Sequence, residues 1–189
     1  MSIEFSDPAL MAAEIVRLRG HVAKLEQRVA ELDRLAHDDP LVRAVNRRGM
    51  VRELDRMIAS RHRHGTPSAM LFVDLDDLKI LNDSFGHQGG DAALIHVAEQ
   101  LHRGTRGSDC VARLGGDEFC VLLDHADEDS ALETADRLIN AIAGDDFLFE
   151  GLAMPLSVSI GVTMIEEGDT PARVLARADQ AMYRVKDAA

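Results

Sequence analysis

The order of apolar segments between residues 69 and 186 constrains the fold of this chain more than any other feature of its sequence. Short apolar runs bounded by Gly and polar residues predict strands, and apolar residues three or four apart predict helices. The predicted elements, in chain order, are a strand at 69–76, a helix at 89–103, strands at 109–114 and 119–123, a helix at 130–143, a strand at 156–163 and a helix at 171–186. This β-α-β-β-α-β order predicts an α+β, ferredoxin-like core with an antiparallel central hairpin and flanking helices.

Near the N-terminus, apolar residues recur at alternating steps of four and three from Met11 to Ala36. The heptad a positions hold Ile15, Val22 and Val29, and the d positions hold Leu18, Leu25 and Leu32. β-Branched residues at a with Leu at d favour a parallel two-stranded coiled coil, and an amphipathic helix packed on its own domain is the alternative. Asp39-Pro40 ends such a helix, so we predict a dimerising coiled-coil helix over 1–38 and a globular domain over 39–189.

The balance of charges narrows the classes of partner. Lys and Arg number 21 and Asp and Glu 33, which gives a formal net charge of −12. A duplex nucleic acid or an anionic membrane surface requires a basic face, so we expect neither as a partner. The apolar runs reach only about five residues, whereas a membrane span needs about 20. Two cysteines cannot build a disulfide scaffold, and we expect a reducing, cytoplasmic setting.

Acidic residues follow two predicted strand ends. Asp74, Asp76 and Asp77 end the strand at 69–76, and Gly115-Gly-Asp-Glu118 forms the turn of the predicted hairpin. Acids at strand ends are often only turn residues, but the first strand of this fold lies beside the hairpin, so the two groups can converge. Carboxylates at such an edge suit Mg²⁺ that also holds substrate phosphates, and adjacent glycines let a nucleotide approach the backbone.

These motifs resemble the GGDEF domains, the diguanylate cyclases that make cyclic di-GMP from two GTP molecules. The resemblance covers about residues 39–186 and rests on several motifs in the same order. They are Asp39-Pro-Leu41, Asn46-Arg-Arg48, Asp74-Leu-Asp-Asp-Leu-Lys79, Asn82-Asp83, Gly86-His-Gln-Gly-Gly-Asp91, Gly115-Gly-Asp-Glu-Phe119, Ser157-Val-Ser-Ile-Gly-Val162 and Ala178-Asp-Gln-Ala-Met-Tyr183. The chain departs from the family at Val42-Arg43, where Thr-Gly is usual, and at Leu78, where Phe is commoner.

The resemblance implies roles for individual residues. In the family, two Mg²⁺ (or Mn²⁺) ions per active site are held by the residues matching Asp74, the carbonyl of Leu75 and Asp117. The catalytic residues implied are Asp117 as proton acceptor, Lys79 on the phosphates, and Glu118. The substrate-binding residues implied are Asn82 and Asp91 on guanine, His87, Gly115 and Gly116, and Lys186 on the phosphates. His87 is almost as well explained as a structural turn residue.

Each domain of this family holds one GTP, so the resemblance implies that two domains face each other, which fits a parallel homodimer formed by the N-terminal helix. Arg106 and Asp109 match the RxxD inhibitory site for the product cyclic di-GMP, and Arg137 matches a second arginine of that site. A local salt bridge at the start of the strand is the alternative interpretation of Arg106 and Asp109.

We therefore expect a diguanylate cyclase that works as a coiled-coil dimer and is inhibited by its product. A catalytically silent receptor or scaffold for GTP or cyclic di-GMP is the alternative from another class of protein. A cyclase for other purine nucleotides is a further alternative, against which Asn82 and Asp91 argue because a carboxylate can accept from guanine N1–H and the 2-amino group, and adenine offers neither donor.

Overall fold

The computed structural model describes residues 8–145 and 147–187. The predicted domain limits, 1–38 and 39–189, include residues 1–7, 146, 188 and 189, which lie outside the described residues. The chain divides into two compact units that meet between Ala36 and His37. Among the described residues, none of the helices combines the length and the apolar character that crossing a bilayer requires.

The described part of the N-terminal unit is helical throughout and belongs to α1, Pro8–His37, which has 30 residues and a length of about 45 Å at 1.5 Å per residue. It is four residues longer than the heptad stripe from 11 to 36 alone predicts. The side chains at the heptad a and d positions are exposed in the single chain, from Ile15 to Leu32. An exposed apolar stripe of this length is typical of a helix that pairs with another helix in a coiled coil.

The second unit is organised around a five-stranded sheet. Its strands, and the two of a separate hairpin, are β1 Val45–Asn46, β2 Ser68–Leu75, β3 Cys110–Gly115, β4 Glu118–Asp124, β5 Leu148–Phe149, β6 Leu152–Ala153 and β7 Val158–Met164. The order in the main sheet is β1-β3-β4-β2-β7. The pairs β3–β4, β4–β2 and β2–β7 are antiparallel, and β1 adds to β3 in parallel. The predicted α+β ferredoxin-like core with its central antiparallel hairpin is therefore confirmed.

Helices cover both faces of this sheet, and the interior strand β2 is therefore buried along its whole length. The remaining helices are α2 Arg47–His64, α3 Leu78–Arg103, α4 Glu128–Ala143 and α5 Pro171–Lys186. Leu71 and Val73 belong to one apolar cluster, and the alternate residues Met70 and Phe72 belong to a second cluster. This follows from the two-residue period of a strand, which directs successive side chains to opposite faces.

Helix α5 packs directly on β7. At Gly161 of β7, a Cβ atom would lie 2.1 Å from the backbone nitrogen of Met182 and 2.6 Å from the carbonyl oxygen of Ala178. Only a residue without a side chain allows this approach. The close contact fixes the helix that ends at Lys186 against the edge strand of the sheet.

The predicted strands and helices agree with the structure to within two residues at most ends; helix α3 differs, and the two-residue strands β1, β5 and β6 were not predicted. Helix α3 begins at Leu78 rather than at Gly89, and it bends at Gly86, whose φ is 72° and ψ 173°. The polar residues and glycines of 82–90 had concealed the first half of this helix. The hairpin β5–β6 was not predicted, because strands of two residues are too short for an alternating pattern.

Candidate active site

The two predicted acidic segments meet at one edge of the sheet. In the antiparallel pair of β2 and β4, Asp74 lies directly opposite Glu118. The next backbone contact joins the same segments, since the N–H of Leu75 donates to the carbonyl oxygen of Asp117 at 3.1 Å. The end of β2 and the turn between β3 and β4 therefore form one structural unit.

The turn itself depends on its two glycines. Gly115 has a φ of 149° and Gly116 a φ of 55°, and a left-handed conformation at position 116 favours glycine. A Cβ atom built at either residue would meet nothing within 4 Å. The backbone of the turn thus faces open space beside the carboxylates, as a surface must if a phosphate chain is to approach it.

Burial and the charges of neighbouring carboxylates disfavour the ionised forms of Asp74 and Glu118. The pKa of Asp74 is raised, first by burial and then by the charges of Asp117 and Asp76. Burial is also the main reason that the pKa of Glu118 is raised, followed by the charges of Asp117 and Asp74. A cation bound among these groups would offset the repulsion.

Lys186 supplies one such cation from α5. Its Nζ contacts Asp74 Oδ1 and lies 3.9 Å from Asp76 Oδ1, and the hydrogen bond with Asp74 raises the pKa of Lys186. Asp76 is also held from β7, where Ser159 Oγ donates to Asp76 Oδ1 at 2.9 Å. A predicted phosphate contact and a predicted metal ligand are therefore adjacent, although 112 positions separate them in the sequence.

The oxygen donors fit Mg²⁺ or Mn²⁺ in kind, since hard cations prefer carboxylates and carbonyls. In the part of the chain that the structure describes, no three His, Cys, Asp or Glu side chains converge closely enough to hold a metal ion by themselves. Mg²⁺ is commonly held by one or two carboxylates together with substrate phosphates and water. Asp74, Asp117 and the carbonyl of Leu75 fit that type of site rather than a closed protein cage.

The predicted guanine-binding residues lie on the two arms of α3. The bend at Gly86 brings Gly90 against Asn82, so that a Cβ at position 90 would lie 2.1 Å from Asn82 Oδ1. Asp91, which follows Gly90, is exposed, as are Lys79 and His87. Within the described ranges, no hydrogen bond or ion pair joins Lys79, His87 or Asp91 to the acidic cluster.

Arg113 forms a contact at this site that the sequence did not reveal. Its guanidinium donates to the carbonyl oxygen of Gly116 at 3.1 and 2.8 Å, and its Nη1 lies 3.4 Å from Asp39 Oδ1. The same Asp39 oxygen accepts the N–H groups of Leu41 and Val42, each at 2.9 Å. Arg113 thus ties the glycine turn to the segment that leads into the domain. The sequence signal for this contact was limited to a charged residue on β3, two positions before the glycine pair.

The three residues predicted for product binding lie around the bend before β3. Asp109 Oδ2 accepts the N–H of Arg106 at 2.8 Å, and Asp109 Oδ1 accepts the N–H of Asp124 at 3.2 Å. Arg137 donates to the carbonyl oxygen of Gly104 at 2.8 Å. The carboxylate thus binds backbone groups rather than the Arg106 side chain. The five-residue rise of β3 separates this bend from the glycine turn by about 17 Å.

Comparison with known proteins places this arrangement in a family. Residues 36–189 match the family described as diguanylate cyclase, GGDEF domain. Among curated proteins, the chain is 39% identical over 166 residues to the diguanylate cyclase TpbB of Pseudomonas aeruginosa, covering 87% of this chain and 38% of TpbB. It is 38% identical over 150 residues to the diguanylate cyclase DgcP of the same species, covering 79% of this chain and 22% of DgcP. The chain thus spans well under half the length of these relatives.

Solved structures agree with this assignment. The coiled coil and GGDEF domain of DgcB from Caulobacter crescentus, in complex with c-di-GMP, superposes with a TM-score of 0.86 at 25% identity and covers 94% of this chain and 95% of that one. The GGDEF domain of TpbB gives a TM-score of 0.77 at 39% identity and covers 81% of this chain and 90% of that one. The family match over residues 36–189 and the likeness to these solved structures agree: this chain belongs to the GGDEF family of diguanylate cyclase domains.

Proposed function

We propose that the chain condenses two GTP molecules into cyclic di-GMP and releases two pyrophosphates. The observation that carries this proposal is the pairing of Asp74 with Glu118 across β2 and β4, beside a glycine turn that is open to a ligand. Carboxyl groups whose pKa values are raised by burial and by neighbouring charges cluster at catalytic sites, and Asp74 and Glu118 are two such groups. The intact acidic cluster therefore favours an enzyme over a silent receptor or scaffold.

The phosphates and the guanine base are assigned to different parts of this site. Lys186, and Lys79 at the start of α3, supply positive charge for the triphosphate, and Gly115 and Gly116 let it approach the backbone. Asn82 and Asp91 recognise guanine, with His87 as a further substrate contact. With ATP these polar groups would remain unpaired, and that difference supports a discrimination of about 10³ or more.

Two Mg²⁺ or Mn²⁺ ions would be held by Asp74, the Leu75 carbonyl and Asp117, where they would neutralise phosphate charge and make a 3′-hydroxyl easier to deprotonate. Asp117 accepts the proton of that hydroxyl. The 3′-oxygen then bonds to the α-phosphorus of the other GTP as the bond to its pyrophosphate breaks. Glu118, opposite Asp74, completes the carboxylate set, and the same step repeated with the roles exchanged closes the ring.

Because one domain provides one GTP site, the reaction needs a second copy. We assign the dimer contact to the helix of residues 1–38 and the catalytic domain to 39–189. A parallel pair of α1 helices would bury the exposed stripe from Ile15 to Leu32. Tethering makes the encounter of the two domains intramolecular, at an effective concentration of roughly millimolar.

We further propose that Arg106, Asp109 and Arg137 bind the product and inhibit the enzyme. Arginine can donate to guanine O6 and N7, and a carboxylate can accept from its other edge. The exposed Arg106 side chain, next to a carboxylate that the backbone already positions, supports this assignment. The distance along β3 makes it a site separate from the acidic cluster.

Incubation of the purified chain with Mg²⁺ and either GTP or ATP tests the proposal, with products identified by mass spectrometry. We expect cyclic di-GMP and pyrophosphate from GTP alone, and no product from an Asp117→Asn variant. Binding of GTP without turnover would assign the chain to receptors or scaffolds instead. Equal consumption of ATP would contradict the guanine assignment.

A further inference from the structure

The hairpin β5–β6 packs behind the bend of α3 that carries the predicted guanine-binding residues. In a straight helix, eight residues rise by about 12 Å, so Asn82 and Gly90 could not touch. Their contact exists because the conformation of Gly86 folds the two arms together. The positions of Asn82 and of Asp91 therefore depend on how firmly this bend is held.

Phe149 of β5 holds the bend from the side of the hairpin. Its ring meets that of Phe85 edge to face, with centroids 6.5 Å apart and an interplanar angle of 84°. A Cβ at Gly89 would lie 2.5 Å from Phe85 Cβ and 3.6 Å from the Phe149 ring. The ring thus fills the space next to Gly89, two residues before Asp91.

The hairpin is itself fixed to the second arm of α3. Asp145 accepts a hydrogen bond from Gln100 Nε2 and lies 3.2 Å from His96 Nε2. The His96 ring stacks on Phe147, with centroids 4.6 Å apart, and the carbonyl oxygen of Phe147 accepts the N–H of Met154 at 2.8 Å. These contacts leave Phe149 little freedom to withdraw from the bend.

From these contacts we infer that Phe149 is a positioning residue for guanine recognition. It does not touch the base but keeps the arm of Gly89, Gly90 and Asp91 pressed against Asn82. The inference rests on the proposed function, because it assigns guanine binding to Asn82 and Asp91. Of the groups assigned to the phosphates, Lys186 and the glycine turn lie on other elements, and Lys79 lies at the start of the first arm of α3, seven residues before Gly86.

The test is Phe149→Ala in the full chain, with binding measured by calorimetry in Mg²⁺. The probes are analogues of GTP and ATP in which a methylene group joins the α- and β-phosphorus atoms, so that no pyrophosphate can leave. We expect GTP-analogue affinity to fall about tenfold while ATP-analogue affinity stays unchanged, since a displaced bend affects only the groups that read the base. Phe149→Leu, which keeps apolar bulk, should restore most of the preference.

Leu148→Ala is the matched control, because Leu148 lies in the same hairpin with 58% of its surface exposed; it should leave both affinities unchanged. An unchanged preference in Phe149→Ala, or equal losses for both analogues, would overturn the inference. If that variant does not fold, Phe85→Ala decides, because it removes the other ring of the pair; a preference equal to that of the wild type would then count against the inference. A wild-type chain without preference for the GTP analogue would instead contradict the proposed function.

Discussion

Replacing Glu118 by Gln should stabilise the folded protein at pH 7, because burial disfavours the charged form of Glu118 and the carboxylate also faces Asp74 directly across β2 and β4. Two opposite charges at facing positions of neighbouring strands stabilise the folded protein by about 0.2–1 kcal/mol, and two like charges destabilise it. We take the same magnitude for the like-charged pair. Asp117 adds to the repulsion on Glu118, so we expect the upper end, about 1 kcal/mol. For a chain of this size that gain corresponds to a rise in Tm of roughly 2–4 °C.

The pH dependence of this gain separates the cost of the charge, which comes from burial and repulsion, from an effect of packing. Burial and neighbouring charges raise the pKa of Glu118 above its ordinary value of 4.5, so the unfolded chain ionises at a lower pH than the folded chain. The wild type therefore loses stability as the pH rises from 4.5 towards the folded pKa. The advantage of Glu118→Gln should be absent below pH 4.5 and complete once the wild-type carboxylate is ionised in the folded protein.

Urea unfolding followed by far-UV circular dichroism measures this difference, since the chain has no Trp to report by fluorescence. Glu133→Gln on α4 removes the same charge from an exposed position and should change stability by less than about 0.5 kcal/mol. An equal gain for Glu118→Gln at pH 4 and pH 7 would assign the effect to packing. No gain at pH 7 would refute the electrostatic account of the cluster.

Three further variants test other parts of the structure. If α1 forms the proposed dimer, replacing Leu18 and Leu25 by Glu should give a monomer in sedimentation experiments and lower turnover far more than GTP affinity. Equal losses of turnover and affinity would contradict the role of α1. Arg106→Ala should preserve the initial rate while abolishing the slowing of the reaction by added cyclic di-GMP; persistent inhibition would remove the assignment. Lys186→Met should lower the free energy of unfolding at pH 7 by about 0.5 kcal/mol, a value reduced for solvent screening because the lysine side chain is 41% exposed. The hydrogen bond with Asp74 raises the pKa of Lys186 above its ordinary value of 10.5, so the loss of stability should be complete below pH 10.5 and vanish as the pH rises through the folded pKa. Equal urea midpoints of variant and wild type at pH 7 would contradict the ion pair between Lys186 and Asp74.

The strand order and the meeting of the two acidic segments could be predicted from the sequence, because each leaves a local signal. Buried strands appear in the sequence as continuous apolar runs. The start of α5 is indicated by Thr170, which caps the helix, and by Pro171 in its first turn. The first arm of α3 gave no such signal, since it begins after Asp77, whose φ is 56°, and bends at Gly86.

The remaining features that the sequence did not predict are contacts between residues far apart in the chain. Arg113 donates a hydrogen bond to Asp39, which is 74 positions away in the sequence, and Lys186 donates one to Asp74, which is 112 positions away. Such pairs depend on which elements become neighbours in the sheet, and no local pattern of residue types encodes them. The hairpin β5–β6 was missed for the related reason that its packing against Phe85, rather than its own sequence, defines it.

The bare backbone of Gly161 has a consequence for how genetic variants of this chain should be interpreted. A methyl group there would meet Met182 at 2.1 Å and push outward a helix whose last residue reaches the carboxylates. A substitution in the interior, remote from any nucleotide, would then register in an assay as a defect of chemistry. Screens that sort damaging changes by their distance from the reacting atoms would misclassify it.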